Sequence, residues 1–391
     1  MVRDAIYLLQ DISEYARAIY QWKTLRRPGK GVDYTAEDYR DSVRRAVERL
    51  HPEKMRLRVA EIITETPTTK TFRFSRVDGA LPPFRAGQYV NLFVEVDGVK
   101  TSRPYSISSP PDSDFLDLTV RAKPNGFVST YLLFNAKAGD EFTSTGPQGT
   151  FYYEPLIDGK ELVFLAGGSG VTPFMSIIRQ ASASNWPFKV TLLYGSRVPD
   201  DIIFGDELNK LSKNSDKFKC ALVISEPPEG YSGLVGFLTS ELIKEVVGDI
   251  KNKTFYICGP NVMYDFCLAE LEKLNVPSYK VKRELYGPPD DVTKERGWPK
   301  NLSPEIVFSV EVVGYKTIKT KAGEPLMNSL ERNGIVVEAS CRSGACSVCR
   351  TKLLSGKVFM PEHTAVRESD RANNYIHPCV SYPLEDLKIQ I

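Results

Sequence analysis

Ser340-Cys-Arg-Ser-Gly-Ala-Cys-Ser-Val-Cys349, followed thirty residues later by Cys379, decides how this chain is read. The four thiols follow C-x4-C-x2-C with a distant fourth, the ligand spacing of a plant-type [2Fe–2S] cluster. Thiolate sulfur is soft enough to hold iron through a one-electron change. The residues between are mostly small, so the loop can wrap closely and bring backbone N–H groups towards the sulfurs. A structural zinc site is the competing reading, but zinc is usually held by two short knuckles, and Cys379 stands alone. The spacing therefore predicts a one-electron carrier with Cys341, Cys346, Cys349 and Cys379 as iron ligands. Something upstream must feed it.

A chain of 391 residues has room for several domains, each with its own core. At 42% hydrophobic and 26% charged, the composition is that of an ordinary globular protein. A net charge of +2 argues against a large basic face for nucleic acid. No apolar run approaches a membrane span, and the N-terminus lacks the apolar core of a secretion signal. With four cysteines given to iron, Cys220, Cys258 and Cys267 remain, and an odd set of thiols points to a reducing cytoplasm.

Working back from the cysteines, the sequence changes period several times. Residues 304–391 form a last compact unit, and Gly287-Pro-Pro-Asp-Asp291 through Pro299 reads as a linker within 288–303. Over 156–287, the short apolar runs Glu161–Ala166, Val190–Tyr194, Cys220–Ile224 and Thr254–Cys258 alternate with helical stretches, which predicts a parallel α/β sheet. Over 53–155, the runs Leu57–Ile63, Lys70–Phe74, Tyr89–Val96 and Leu116–Val120 alternate at period two, which predicts an antiparallel barrel. Residues 1–52 read as two helices. Ala5, Leu8, Ile12, Tyr15, Ile19 and Trp22 form one stripe. Thr35 with Asp38 resembles a capping box for a second helix that turns Tyr39, Val43, Ala46 and Leu50 inward and stops at Pro52.

Four further motifs suit nucleotide chemistry. Arg103-Pro-Tyr-Ser-Ile-Ser-Ser109 follows a strand hairpin and offers a cation for a phosphate, a ring to cover a ring, and a hydroxyl. A plain strand with a surface arginine would read the same in isolation. Asn125-Gly-Phe-Val-Ser-Thr130 opens a short helix, whose first N–H groups suit a pyrophosphate. Gly167-Gly-Ser-Gly-Val-Thr-Pro173 leads from strand to helix, the setting for a dinucleotide diphosphate, although it is not G-x-G-x-x-G. Cys258-Gly-Pro260 ends a later strand at the carboxyl edge of the sheet, and a free cysteine there is otherwise simply a small buried hydrophobe.

In this order, R-P-Y-S, G-F-V-S, G-G-S-G-V-T-P and C-G-P resemble the ferredoxin–NADP reductase superfamily. With a plant-type ferredoxin at the C-terminus, residues 55–391 are similar to the reductase components of bacterial oxygenases and hydroxylases, the phthalate dioxygenase and phenylacetyl-CoA epoxidase reductases among them. After the N-terminal helical extension, the resemblance implies a flavin-binding β-barrel, an NAD(P)-binding α/β domain and a β-grasp ferredoxin domain. It implies that Arg103 binds flavin phosphate, Tyr105 lies against the flavin, and Ser106 hydrogen-bonds near N5, with Pro104 and Val120 beside them. Gly126, Val128 and Ser129 would cradle a pyrophosphate, which favours FAD over FMN. Gly168, Gly170, Thr172, Ser196, Arg197, Gly259 and Pro260 would hold the nicotinamide nucleotide. Cys258 would sit near the hydride-bearing carbon, and Glu284 would be the acidic residue near the flavin. A nicotinamide yields two electrons at once and the cluster accepts one, so a flavin belongs between them. NADH and NADPH both remain open: Ser196 and Arg197 suit a 2′-phosphate, while Asp200 and Asp201 close behind suit NADH, to which the reading leans.

The N-terminal helices lie outside the family plan. They read as a hairpin packed on the barrel, as a dock for the electron acceptor, or as a dimer contact. Acidic residues mixed through them argue against membrane binding. From Glu305 onward the basic and acidic residues nearly balance, whereas free plant-type ferredoxins are strongly acidic; a tethered one needs no steering to its reductase. Two functions follow. One is an NAD(P)H-dependent iron–sulfur flavoprotein reductase passing electrons to a terminal oxygenase or hydroxylase. The other is the electron-transfer subunit of a dedicated redox complex, such as one that reactivates a corrinoid protein, with the helices as its dock.

Overall fold

The computed structural model describes residues 16, 37–124, 126–362, 364 and 366–391. The first expected helix, Ala5 to Trp22, falls outside the described residues except for residue 16, which is helical. The second forms as α1 (Glu37–Leu50) and ends before Pro52, which cannot continue a helix. Val43 and Leu50 are exposed, not inward. Arginines and glutamates flank that stripe on both sides, so it has little apolar surface to bury. Among the described residues no helix is long and apolar enough to cross a membrane.

From Pro52 onward the chain forms one compact unit built around three sheets. In the first, β1 (Met55–Thr66), β2 (Thr69–Arg76), β3 (Tyr89–Val96), β4 (Val99–Ser106), β5 (Leu116–Arg121) and β6 (Glu141–Ser144) run antiparallel in the order β4-β3-β6-β1-β2-β5. The alternation in β1 buries Met55, Leu57 and Val59 while Arg56 and Arg58 stay out and share Glu141. An isolated bridge from Ile107 to Leu118 draws the two edge strands together, so the sheet curls into a barrel. The Arg103–Ser106 motif lies within edge strand β4 and not after a hairpin. Helix α2 (Phe127–Phe134) buries Val128, Leu132 and Leu133 against the barrel core.

The second sheet is wholly parallel: β7 (Glu161–Gly167), β8 (Lys189–Ser196), β9 (Phe218–Ile224), β10 (Leu234–Val235), β11 (Thr254–Cys258) and β12 (Val281–Glu284), ordered β10-β9-β8-β7-β11-β12. Its central strands β7 and β11 read as nearly unbroken apolar runs because helices cover both faces. Helix α3 (Val171–Ala183) packs on one face through Val171, Phe174 and Ile178. Helices α4 (Gly205–Asn214), α5 (Ser240–Val247) and α6 (Asn261–Lys273) complete the layers.

The third sheet, β13 (Val307–Val312), β14 (Thr317–Lys321), β15 (Thr351–Ser355), β17 (Tyr375–Ile376) and β19 (Leu387–Gln390), grips helix α7 (Leu326–Arg332), with a small ladder of β16 (Val358–Phe359) and β18 (Tyr382–Pro383) beside it. The β13–β19 pair is parallel and the others are antiparallel, as in a β-grasp. The stretch expected to be a linker is packed: Val292 and Trp298 are buried with Ala322, Phe359 and Tyr382.

Candidate active site

The carboxyl ends of β7, β8 and β11 open a cavity of about 430 Å³. Gly167, Gly168, Ser196, Arg197 and Pro260 line it, so four of the expected nucleotide residues plus Gly167 share one space. Gly168 has φ +53, a left-handed conformation that favours glycine. Gly170 lies against the Cys258 carbonyl and the Gly259 N–H with no room for a β-carbon. The Thr172 hydroxyl donates to the Ser169 carbonyl at 2.6 Å and so holds the loop. Gly170, Thr172 and Gly259 therefore shape the wall without lining the cavity.

Arg121 also lines this cavity, although it comes from barrel strand β5. Its guanidinium is fixed by Asp201 at 2.5 Å, which also accepts from the Thr68 hydroxyl at 3.0 Å, and it approaches Gly168 closely. Phe237 and Phe266, edge to face at 6.1 Å, wall the far side. Arg197 faces Glu226 at 3.9 Å, both well exposed.

Cys258 ends β11 and stands in register with Ala166 on one neighbouring strand and Glu284 on the other. Its thiol is fully buried, within hydrogen-bond reach of the Tyr264 and Tyr286 hydroxyls. Burial, with Glu284 nearby, pushes it well above the ordinary thiol range, so it stays protonated. Tyr264 accepts from the Gly259 N–H at 3.1 Å and donates to the Glu284 carbonyl. Tyr286 in turn hydrogen-bonds Ser106 on β4, which brings the barrel hydroxyl into the same cluster as Cys258 and Glu284. Burial and the nearby Cys341 push the Glu284 carboxyl up to about 8.

On the barrel edge, Tyr105 packs on the core and Arg103 turns back to donate to the Thr101 hydroxyl at 2.6 Å and the Ser102 carbonyl at 2.7 Å. Burial and the neighbouring Arg342 push the Arg103 guanidinium down to about 10, so it remains a cation at neutral pH. Pro104 pairs with Asn91 across the ladder. Val120 and Val128 commit their side chains to the core, leaving only their backbone for a ligand. Gly126 is the N-cap of α2, with no side chain capping the first N–H groups, and a β-carbon there would stand 2.8 Å from the Lys123 carbonyl. The Ser129 hydroxyl accepts from the Lys123 N–H at 3.1 Å. An uncapped helix start and a tight glycine turn fit a pyrophosphate.

The cysteine loop winds through three left-handed residues, Arg342, Gly344 and Ser347. Cys349 and Cys379 sulfurs stand 3.4 Å apart, and the N–H groups of Ser343 and Cys346 donate to Cys341 at 3.4 and 3.3 Å. The Cys346 thiol and those N–H groups draw the Cys341 thiol down to about 5, towards the thiolate that binds metal. Among the described residues no three His, Cys, Asp or Glu side chains converge as a single-ion site. The Cys349–Cys379 pair and the two N–H groups aimed at Cys341 suit thiolate ligands of a cluster. Buried His377 braces the loop, with Nδ1 2.9 Å from the Gly344 carbonyl and Nε2 3.2 Å from Asp370.

This loop is bonded to the barrel on both sides of Cys341. Asn91 donates to the Ala339 carbonyl at 2.5 Å, Tyr89 and Ser340 hydroxyls meet at 3.0 Å, and Arg342 reaches the Thr101 hydroxyl at 3.1 Å. Buried Glu331 accepts from both Thr101 and Arg342.

A barrel edge strand carrying Arg103 and Ser106, a parallel sheet with a glycine loop at its carboxyl edge, and a thiol loop against that edge strand suit an iron–sulfur flavoprotein oxidoreductase. Comparison with known proteins agrees. Residues 54–153 match the oxidoreductase FAD-binding domain, 164–268 the oxidoreductase NAD-binding domain, and 310–384 the 2Fe-2S iron-sulfur cluster binding domain. The chain is 31% identical over 334 residues to the NADH oxidoreductase HCR of Escherichia coli, covering 85% of this chain and 96% of that protein. It is 28% identical over 347 residues to the glycine betaine monooxygenase reductase subunit of Pseudomonas aeruginosa, covering 85% and 94%. The solved structure of phthalate dioxygenase reductase shares the fold, with a TM-score of 0.66 at 22% identity over 86% of this chain and 98% of that one. The chain belongs to the family of FAD- and NAD-binding, ferredoxin-reductase-type oxidoreductases that carry a 2Fe-2S domain. Its cofactors are FAD and a [2Fe–2S] cluster, with NADH or NADPH as electron donor.

Proposed function

We propose that this chain is the reductase component of an oxygenase or hydroxylase. The observation that carries it is the bonding of the Cys341 loop onto β3 and β4, beside Ser106. That arrangement puts a hydride-accepting site and a one-electron exit in one body. The names of the relatives support the partner class: besides the glycine betaine enzyme, the ferredoxin reductase component of a 3-ketosteroid-9-alpha-monooxygenase from Mycobacterium tuberculosis is 29% identical over 345 residues.

A bound flavin would accept hydride and release electrons singly. The chain's residues do the rest. Cys258 stays a neutral thiol beside the nicotinamide position, Ser106 offers a hydroxyl towards the flavin ring, and Glu284 backs both. Arg103, a cation with Arg342 beside it, suits the flavin phosphate. Tyr105 and Pro104 would border the ring; Val120 and Val128 would contribute backbone alone. Gly126 and Ser129 would shape the pyrophosphate turn. Gly168, Gly170, Thr172, Ser196, Arg197, Gly259 and Pro260 would hold the nicotinamide nucleotide, and Cys341, Cys346, Cys349 and Cys379 the iron. Glu226 beside Arg197 disfavours a 2′-phosphate, which supports NADH.

The division into 1–52, 53–155, 156–287, 288–303 and 304–391, a cytoplasmic location, and a dimer contact through the N-terminal helices belong to this proposal. Sedimentation of the full chain tests the dimer. For the main reading, the NADH-reduced protein is mixed anaerobically with an oxidised oxygenase component of the same host. Loss of the reduced-cluster signal as the oxygenase iron is reduced is the expected result. A cluster that stays reduced beside every oxygenase of the host would overturn it.

A further inference from the structure

The Tyr89–Ser340 contact between the barrel and the cysteine loop extends to a third side chain that holds no cofactor role above, Gln148. The Ser340 hydroxyl donates to Gln148 Oε1 at 2.5 Å. Having one hydrogen, it must then accept from the Tyr89 hydroxyl, 3.0 Å away. The chain Tyr89 to Ser340 to Gln148 is buried at the first two members. Tyr89 is held from behind by Gly149, where a β-carbon would stand 2.9 Å from the ring. Its backbone is also fixed: Tyr89 exchanges hydrogen bonds with Gln148 and stands in register opposite Ser106 on β4.

Both ends of this chain therefore lie on the barrel side, Tyr89 in the strand pair that presents Ser106 and Gln148 bonded to its backbone, and the middle member is Ser340, the residue joined to Cys341. Asn91, two residues along the same face of β3, seizes the Ala339 carbonyl next door. These contacts are polar, not apolar, so their strength lies in a few directed bonds whose loss would let the loop drift.

We propose that Tyr89 and Ser340 are positioning residues: their hydroxyl contact, backed by Gln148, holds the Cys341 loop on strand β3 and thereby sets how fast electrons pass from the flavin site to the cluster. The inference rests on the reductase reading. The electrons balance as one hydride in and two single electrons out. Each single transfer takes one ferric iron of the cluster to ferrous, a one-electron acceptor reoxidises it before the next, and the one proton left from the hydride goes to water.

The test uses holoenzyme of the full chain, with Tyr89→Phe, Ser340→Ala and the double variant, mixed anaerobically with NADH. Flavin bleaching is followed by absorbance and cluster reduction by rapid-freeze electron paramagnetic resonance. Bleaching should stay within about twofold of the parent, while cluster reduction slows about fivefold, the population change expected for one lost hydrogen bond. The double variant should be no slower than Ser340→Ala alone, because that change already removes the Tyr89–Ser340 bond together with the Ser340–Gln148 bond. Amide exchange at 339–346 should rise while that of β13 and β19 does not.

Cluster reduction within twofold of the parent in both single variants would overturn the proposal. So would equal slowing of bleaching and cluster reduction, which would put Tyr89 at the hydride step. If one variant loses a cofactor, the other decides; loss in both makes these residues structural and overturns it. Failure of the reductase reading looks different, because neither NADH nor NADPH would then reduce the parent's flavin.

Discussion

Gly170 presses on the carbonyl of Cys258 so closely that no β-carbon fits between them. This contact locks the glycine loop after β7 to the turn after β11, the two segments that would hold the nicotinamide nucleotide. Gly170→Ala must therefore push them apart. Overpacking of this kind costs about 1–3 kcal/mol. The KM for NADH should rise about tenfold, with the flavin and cluster spectra unchanged. Steady-state kinetics with a one-electron dye checks it, and an unaltered KM would mean the loop does not touch the nucleotide.

Cys258 and Cys267 are fully buried, and burial pushes Cys267 up to about 12 and Cys258 further above its ordinary range. Thiols react as thiolates. Native holoenzyme at pH 8 should therefore resist alkylation at both positions, and denatured protein should not. Mass spectrometry after iodoacetamide treatment reads this directly. Rapid native alkylation of Cys258 would show that its site opens to solvent.

Glu226 and Arg197 form an exposed pair, and exposed pairs are worth about 0.2–1 kcal/mol. Glu226→Gln should free Arg197 for a 2′-phosphate and raise the NADPH-to-NADH ratio of kcat/KM about two- to fivefold. Arg197→Ala should lower NADPH use and spare NADH. An unchanged ratio in both variants would move nucleotide choice elsewhere.

Glu270 carries a pH prediction. Its carboxylate is held down to about 2 by the Lys273 ammonium and by the Ser240 N–H at the start of α5. In the unfolded chain it titrates near the ordinary 4.5. A depressed folded value stabilises the protein above about 4.5, and the stabilisation is lost as pH falls towards 2. Glu270→Gln should therefore lower Tm at neutral pH and flatten the fall in Tm below about pH 4.5. A parallel curve for variant and parent would contradict it.

What the sequence disclosed follows from how each signal is written. Thiol spacing and glycine loops are local, so the 2Fe-2S domain, the Gly168 and Gly170 loop after its strand and the Cys258-Gly-Pro turn could be read directly. Strand periodicity exposed both main sheets, though the Arg103 motif proved to be part of strand β4 itself. Arg121, Phe237, Tyr264 and Tyr286 were missed because each reaches its site across a domain or from another strand, and no short motif records that. Tyr89, Ser340 and Glu331 were missed for the same reason: their partners lie two hundred or more residues away. His377 was the exception that could have been found, two residues before Cys379 and apolar neighbours around it.

The central claim is that hydride enters at Cys258 and Ser106 and leaves as single electrons through the thiolate loop. Anaerobic NADH added to FAD- and iron-loaded protein tests it most directly, with Cys341→Ser alongside. The account predicts that the parent shows flavin bleaching followed by the resonance of a reduced [2Fe–2S] cluster, and that the variant bleaches without passing electrons on. If neither NADH nor NADPH reduces the flavin of the loaded parent, or if the cluster is reduced while Cys341→Ser behaves identically, the account is wrong.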